Sequence, residues 1–225
     1  MTNLTYIGHS AFYIENPQCG ILIDPFISQN PLAKFDAAGK KITDIIVTHG
    51  HGDHLGDAVP LSKKTGAPIS AMVELANWCA AQGANANPVQ MGGLLNYSWG
   101  KLRFVPAFHS SSTPDGKYAG MPTGVILEID GKKIYHCGDT CLNSEMKVIG
   151  EVYKPDIMLA PIGSHYTMDI DDAVIAAEWT GVKTVVPMHY NTFPQVKANP
   201  EILKDKLQNK DIECLIIKPG ETIPV

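Results

Sequence analysis

The chain is short of nearly everything that would tie it to a membrane, a disulfide framework or a nucleic acid. No apolar run approaches the roughly 20 residues that span a bilayer. The opening Met1-Thr2-Asn3-Leu4 has neither the basic nor the long apolar region of a secretion signal. A cytoplasmic location follows as the default. The five cysteines, Cys19, Cys79, Cys137, Cys141 and Cys214, are odd in number and scattered, with no Cys-x-x-Cys among them. That excludes a zinc knuckle and predicts reduced, mostly buried thiols. Basic residues are outnumbered, 18 Lys and Arg against 23 Asp and Glu, for a net charge of −5. A sequence-independent grip on nucleic acid needs basic surface, so that class is set aside; a small local phosphate site is not. Linkers, low-complexity stretches and internal repeats are absent too. With 225 residues, 44% of them hydrophobic and 18% charged, a single soluble domain over residues 1–225 with a large core is predicted. Association into a homo-oligomer stays open.

Against these absences stands one concentration of chemistry. Thr48-His49-Gly50-His51-Gly52-Asp53-His54 follows the apolar run Asp44-Ile45-Ile46-Val47 and packs three imidazoles and a carboxylate into six positions. On extended backbone, residues two apart point the same way, so His49 and His51 can face one point. Gly50 and Gly52 permit a tight turn with room for an ion. If Asp53 and His54 open a helix, they project in another direction. One segment can then serve two adjacent metals.

Short strands are predicted at Leu4 to Ile7, Ala11 to Glu15, Gly20 to Ile23 and Asp44 to Val47, with a loose stretch from Phe26 to Lys41. A helix starts at Asp53 and runs toward Lys64, although Gly56 and Pro60 interrupt it. A second runs from Val73 to Gln82, ahead of Gly83. Between Lys101 and His109 the pattern alternates: Leu102, Phe104 and Phe108 share one face, and Pro106 points to an edge or a bulge. Thr123 to Ile129, Asp130-Gly131 and Lys132 to Cys137 form a hairpin around a tight turn. Helices at Ser144–Tyr153, Asp169–Thr180 and Pro200–Gln208 then alternate with strands at Asp156–Ala160, Lys183–His189 and Glu213–Ile217. Hairpins first and βα units later give an α/β chain with mixed sheets.

His109, Asp139, His165 and His189 all fall at or just beyond the C-terminal ends of predicted strands, where active sites of open α/β folds collect. The Thr-His-Gly-His-Gly-Asp-His run, an isolated His, Gly138-Asp139-Thr140 and a late strand ending in His occur in an order that resembles the metallo-β-lactamase superfamily. Gly8-His9-Ser10 with Ile23-Asp24-Pro25 is similar to its ascorbate-6-phosphate-lactonase-like branch. The resemblance implies a four-layer αβ/βα sandwich of two mixed sheets with a two-metal site at one edge. His49, His51 and His109 would hold the first ion, Asp53, His54 and His189 the second, and Asp139 would bridge them. Zinc is the first choice of metal; manganese, nickel and iron suit the same ligands. His9 is assigned either to substrate or ligand support or to a plain turn. Asp24 would orient a ligand histidine or cap its strand. His165 could reach substrate, and His136 packs behind Asp139. Cys137 and Cys141 flank Asp139 without replacing a ligand. Antibiotic-hydrolysing members often carry cysteine at a metal position, and aspartate here counts against that activity.

The implied activity is hydrolysis of an ester-type bond, a lactone or phosphodiester of a phosphorylated small molecule, by a hydroxide activated between two metals. Asp53 would take up the proton or orient the nucleophile. Ser110 to Thr113 with Lys117 could cradle a phosphate or form an ordinary polar loop. Two other classes compete: iron-dependent redox or oxygen chemistry on the same ligands, and a non-catalytic metal-binding protein that keeps the fold.

Overall fold

Fourteen strands pair into two separate sheets of seven in the computed structural model, which describes residues 1–225. The chain divides into two compact units, each built on one sheet. The first comprises Met1–Gly93, Ser110–Pro122 and Lys218–Val225; the second comprises Leu94–His109 and Thr123–Ile217. No helix is long and apolar enough to cross a membrane. Two mixed sheets with helices make an α/β fold, as the sequence predicts.

In the first unit, β1 (Asn3–Gly8), β2 (Ala11–Glu15) and β3 (Gly20–Ile23) form an antiparallel meander. The parallel strands β4 (Asp44–Ile46), β5 (Ile69–Met72) and β6 (Ala86–Val89) extend it on one side. On the other side, β14 (Thr222–Pro224) pairs antiparallel with β1. Burial follows from composition: Ile7, Leu22, Ile45 and Ile69 face α3 (Val73–Ala81), whose Leu75, Ala76 and Cys79 are buried with them. Each large aliphatic side chain so buried contributes about 1.5–3 kcal/mol.

The second unit repeats this plan. An antiparallel run of β7 (Leu94–Tyr97), β8 (Gly100–Pro106), β9 (Thr123–Ile129) and β10 (Lys132–His136) leads into parallel β11 (Ile157–Pro161), β12 (Thr184–Met188) and β13 (Glu213–Cys214). Helices α4 (Glu145–Tyr153), α5 (Ile170–Thr180) and α6 (Pro200–Gln208) connect the parallel strands. Asp130 and Gly131 both have positive φ, +47° and +79°, which a two-residue type I′ turn requires. In strand order β14-β1-β2-β3-β4-β5-β6 matches β7-β8-β9-β10-β11-β12-β13. The turn after β1 thus corresponds to the segment after β8, and likewise for β3 with β10 and β4 with β11.

Two expectations are corrected. The helix predicted from Asp53 is two helices, α1 (Gly52–Leu55) and α2 (Ala58–Thr65), because Gly56 turns at φ +41°. Pro60 then falls in the first turn of α2, where its missing N–H has no partner to lose. Phe108 does not share the buried face of Leu102 and Phe104. Strand β8 stops at Pro106 and the alternation lapses, so Phe108 is 54% exposed. Pro106 marks no bulge; it is the last residue of β8, opposite Thr123 and beyond the span Gly100–Arg103 that β7 covers, so β8 is a local edge there and the missing N–H costs no pairing. Strand β14 has no counterpart among the predicted elements, being only three residues long.

Candidate metal centre

In the first unit the donors are gathered by one buried carboxylate. Asp24, directly after β3, is fully buried and holds a left-handed φ of +45°. Its Oδ1 accepts the Thr48 backbone N–H at 2.8 Å, and its Oδ2 accepts the Thr48 hydroxyl at 2.6 Å. The same Oδ2 lies 2.7 Å from His54 Nδ1. A carboxylate in that position accepts a hydrogen bond from Nδ1–H and so leaves Nε2 as the ring's lone-pair nitrogen, the form that binds a metal. Three bonds also offset the cost of burying the charge. Asp24 therefore ties the end of β3 to β4 and to α1 at once.

His49 follows Thr48, whose hydroxyl lies 3.1 Å from His49 Nδ1. The other nitrogen, Nε2, faces His51 Nδ1 at 3.1 Å. Metal bonds of about 2.0–2.1 Å set neighbouring ligand atoms about 3.0–3.4 Å apart in octahedral to tetrahedral geometry. The spacing of these two nitrogens fits one cation. The His49 and His54 rings also approach, with centroids 4.1 Å apart. Gly50 has no room for a side chain: a Cβ there would meet the Ala119 Cβ at 2.6 Å and the Ser112 carbonyl oxygen at 2.7 Å. The loop after Ser110 packs on this turn. Ser111 Oγ accepts the Gly50 N–H at 3.2 Å, and Ser110 Oγ lies 3.5 Å from His51 Nε2. These hydroxyls brace the histidine turn.

Asp53 and His54 lie on α1, yet the His54 ring stays beside His49 and does not point away from it as its helical position suggests, while Asp53 reaches His9. His9, in the turn between β1 and β2, is buried at φ +60°, and its Nε2 is 3.0 Å from Asp53 Oδ2. Donor atoms of His9, Asp53 and His54 lie within 4.8 Å of one another.

In the second unit the donors come from three separate strand ends. His109 follows β8, Asp139 follows β10 and His189 follows β12. Asp139 Oδ2 is 3.1 Å from His189 Nε2 and 3.6 Å from His109 Nε2. One carboxylate oxygen thus stands close to two imidazole nitrogens. His189 adopts φ +55°. His136, fully buried, accepts the Gly138 N–H on Nδ1 at 3.1 Å and so stiffens the turn presenting Asp139. The Thr140 hydroxyl accepts the Phe108 N–H at 3.0 Å, pinning the His109 segment to the Asp139 turn. His165 is brought to none of these donors; it is exposed and its ring packs edge-on against Tyr166. Burial pushes the Cys137 thiol far up, as suits a structural residue.

Sequence reasoning missed Thr48 as a hub, Ser110 and Ser111 as braces, and the link between His9 and Asp53. Thr48 stands inside the histidine motif and carried a local signal; the others depend on contacts across tens of residues. The donor set, imidazole nitrogen with carboxylate oxygen, fits zinc, manganese, iron or nickel.

Imidazoles and carboxylates at the strand ends of mixed sheets define a metal-binding α/β protein. The family model described as a beta-lactamase superfamily domain matches residues 20–190. A UPF0173 metal-dependent hydrolase of Thermus thermophilus is 45% identical over 223 residues, with 99% of each chain covered. Another, from Bacillus cereus, is 44% identical over 227 residues, with 98% of each covered. Among solved structures, Igni18, a metallo hydrolase of the archaeon Ignicoccus hospitalis, superposes with a TM-score of 0.91 at 40% identity, covering 99% of this chain and 98% of its own. The chain belongs to the metallo-β-lactamase superfamily and, within it, to the UPF0173 metal-dependent hydrolases.

Proposed function

We propose that the chain is a binuclear metal-dependent hydrolase acting on an ester-type bond of a small molecule, a lactone or a phosphodiester. His49, His51 and His109 hold one divalent ion; Asp53, His54 and His189 hold the other; Asp139 bridges. This assignment rests on the motif order of the superfamily and on the arrangement inside each unit. The observation that carries it is the pairing of His49 Nε2 with His51 Nδ1 at 3.1 Å, beside a His54 ring oriented by Asp24. The relatives named metal-dependent hydrolases support the reaction class.

When bound, such ions act as Lewis acids, bringing the pKa of water from about 15.7 toward neutrality and polarising the bond under attack. The chain's own groups do the rest. Asp24 holds His54 in its metal-binding tautomer. Asp53, partly open to solvent with 29% of its side chain exposed, takes up the proton released from water. By resemblance, the motif Gly8-His9-Ser10 with Ile23-Asp24-Pro25 supports a phosphorylated sugar lactone or a phosphodiester as substrate, and the net charge of −5 argues against nucleic acid. The family model matches residues 20–190, which run through both units, and that supports one functional domain.

The test is elemental analysis of the purified protein, followed by a screen of zinc-, manganese- and nickel-loaded samples against lactones, phosphodiesters and thioesters. Two metal equivalents with turnover of one ester class are expected. A protein that takes up no metal, or turns over nothing with any ion, sinks the reading. Two irons with a visible absorption band would assign it to redox work instead.

A further inference from the structure

Building on that hydrolase reading, we propose that His9 is a positioning residue: its Nε2–H fixes the rotation of the Asp53 carboxylate, and His9 is not itself a metal ligand.

The two partners differ in how firmly they are held. His9 is fully buried, while Asp53 is partly exposed. Asp53 rides on a four-residue helix that has no side-chain cap and is bounded by Gly52 and Gly56. Such a short element does little to fix a carboxylate. His9, by contrast, is locked. The β1–β2 register shifts between Tyr6 and Gly8, and Gly8 and His9 hold φ of +129° and +60°. The Tyr6 hydroxyl donates to the His9 carbonyl at 3.0 Å. The Phe26 ring meets His9 edge-on, with centroids 5.8 Å apart. Asn30 sits over Gly8, where a Cβ would find its amide nitrogen at 3.2 Å, and its amide donates to the Phe26 carbonyl at 3.1 Å. Left-handed backbone at a non-glycine residue is strained, and it persists where the surroundings over-determine it. Here they do.

Burial and the anchoring of the His9 ring favour positioning over ligation. An ionised carboxylate only accepts hydrogen bonds, so in the proposed pairing His9 is the Nε2–H tautomer, donating across the 3.0 Å to Asp53 Oδ2. A protonated ring nitrogen has no lone pair for a cation. Distance to the carboxylate is not what sets them apart, since His189 Nε2 stands 3.1 Å from Asp139; His109, which follows β8 as His9 follows β1, is the more exposed partner of a buried aspartate, whereas His9 is the buried partner of a more exposed one. Corresponding places in the two sheets thus carry histidines with different duties. Holding Asp53 Oδ2 turns Oδ1 to face away from His9, and one oxygen is always the one presented.

The experiment compares wild type with H9Q, which keeps a donor of similar reach, and with H9N and H9L, which do not. Asparagine tolerates the left-handed backbone, so H9N carries the test if H9L does not fold. Each protein is stripped and reloaded with cobalt(II). Metal content and the visible band are read first, then kcat and KM on the best substrate of the screen. Metal content is expected to stay constant throughout. In H9N and H9L the cobalt band shifts and kcat falls about 10–100-fold with KM within about twofold, while H9Q returns to within about fivefold of wild type. Loss of one metal equivalent from H9Q and H9N alike would make His9 a ligand and overturn the proposal. An unchanged band and kcat in H9N, or an H9Q no better than H9N, overturns it as well. If wild type turns over nothing, the hydrolase reading fails, while metal content and the cobalt band still decide the role of His9.

Discussion

The two sheets share a plan and divide the chemistry unequally. Each runs from an antiparallel meander into parallel strands, and each places an aspartate just after the last meander strand, Asp24 after β3 and Asp139 after β10. In the first unit that aspartate is buried behind the donors and bonded to Thr48 and His54. In the second it stands among the donors, with its Oδ2 facing His109 and His189. The strand after the meander differs as well. Beyond β4 comes a turn of three histidines; beyond β11 comes a single exposed His165. The same scaffold position can brace a ligand or be one, depending on what the neighbouring loop supplies.

The sharpest break of this comparison removes the concentrated half. Replacing both His49 and His51 with alanine is expected to abolish binding of one ion and lower turnover by more than about 100-fold, above the usual cost of outer-lying changes. Elemental analysis with the ester screen checks it. Next, the two aspartates can be set against each other. D139N should lose more metal than stability. D24N should weaken metal affinity about 10–100-fold and also cost about 2–4 kcal/mol, since it strips a buried hydrogen-bond hub. Chelator competition and thermal melting separate the pair, and equal losses in both would erase the distinction. H165A tests the place corresponding to the histidine turn, and metal content is expected to stay at the wild-type value. The smallest effect concerns thiols. Burial pushes Cys79 up to about 12 and Cys214 up to about 11, and Cys19 and Cys137 are buried as well. At pH 8 Cys79 and Cys214 stay protonated and all four are shielded from reagent, so a native thiol titration should find Cys141 alone, in the second unit, and all five once the chain is unfolded.

The same contrast explains what could be read in the chain. The His49 to His54 turn is contiguous and its period of two is local physics, so its chemistry was plain. His109, Asp139 and His189 carry no local signal beyond their places at strand ends; motif order alone joined them. Helix and strand positions followed the apolar pattern and the Gly, Pro and Asp punctuation, as at Asp130-Gly131. Phe108 misled because alternation continued on paper past the proline that ends β8. The correspondence between the sheets was invisible because it lives in strand order, with no residue repeat beneath it. The work of Asp24 and His9 was hidden too, since their partners lie 30 and 44 residues away.

The left-handed backbone at His9 and His189 has a consequence for how such a protein can be improved. Glycine and asparagine occupy that conformation with less strain than histidine. Either replacement relieves that strain but removes a buried ring, so heat resistance by itself neither reliably keeps nor reliably removes these histidines. A selection for turnover must accompany it at each round if their chemistry is to be held.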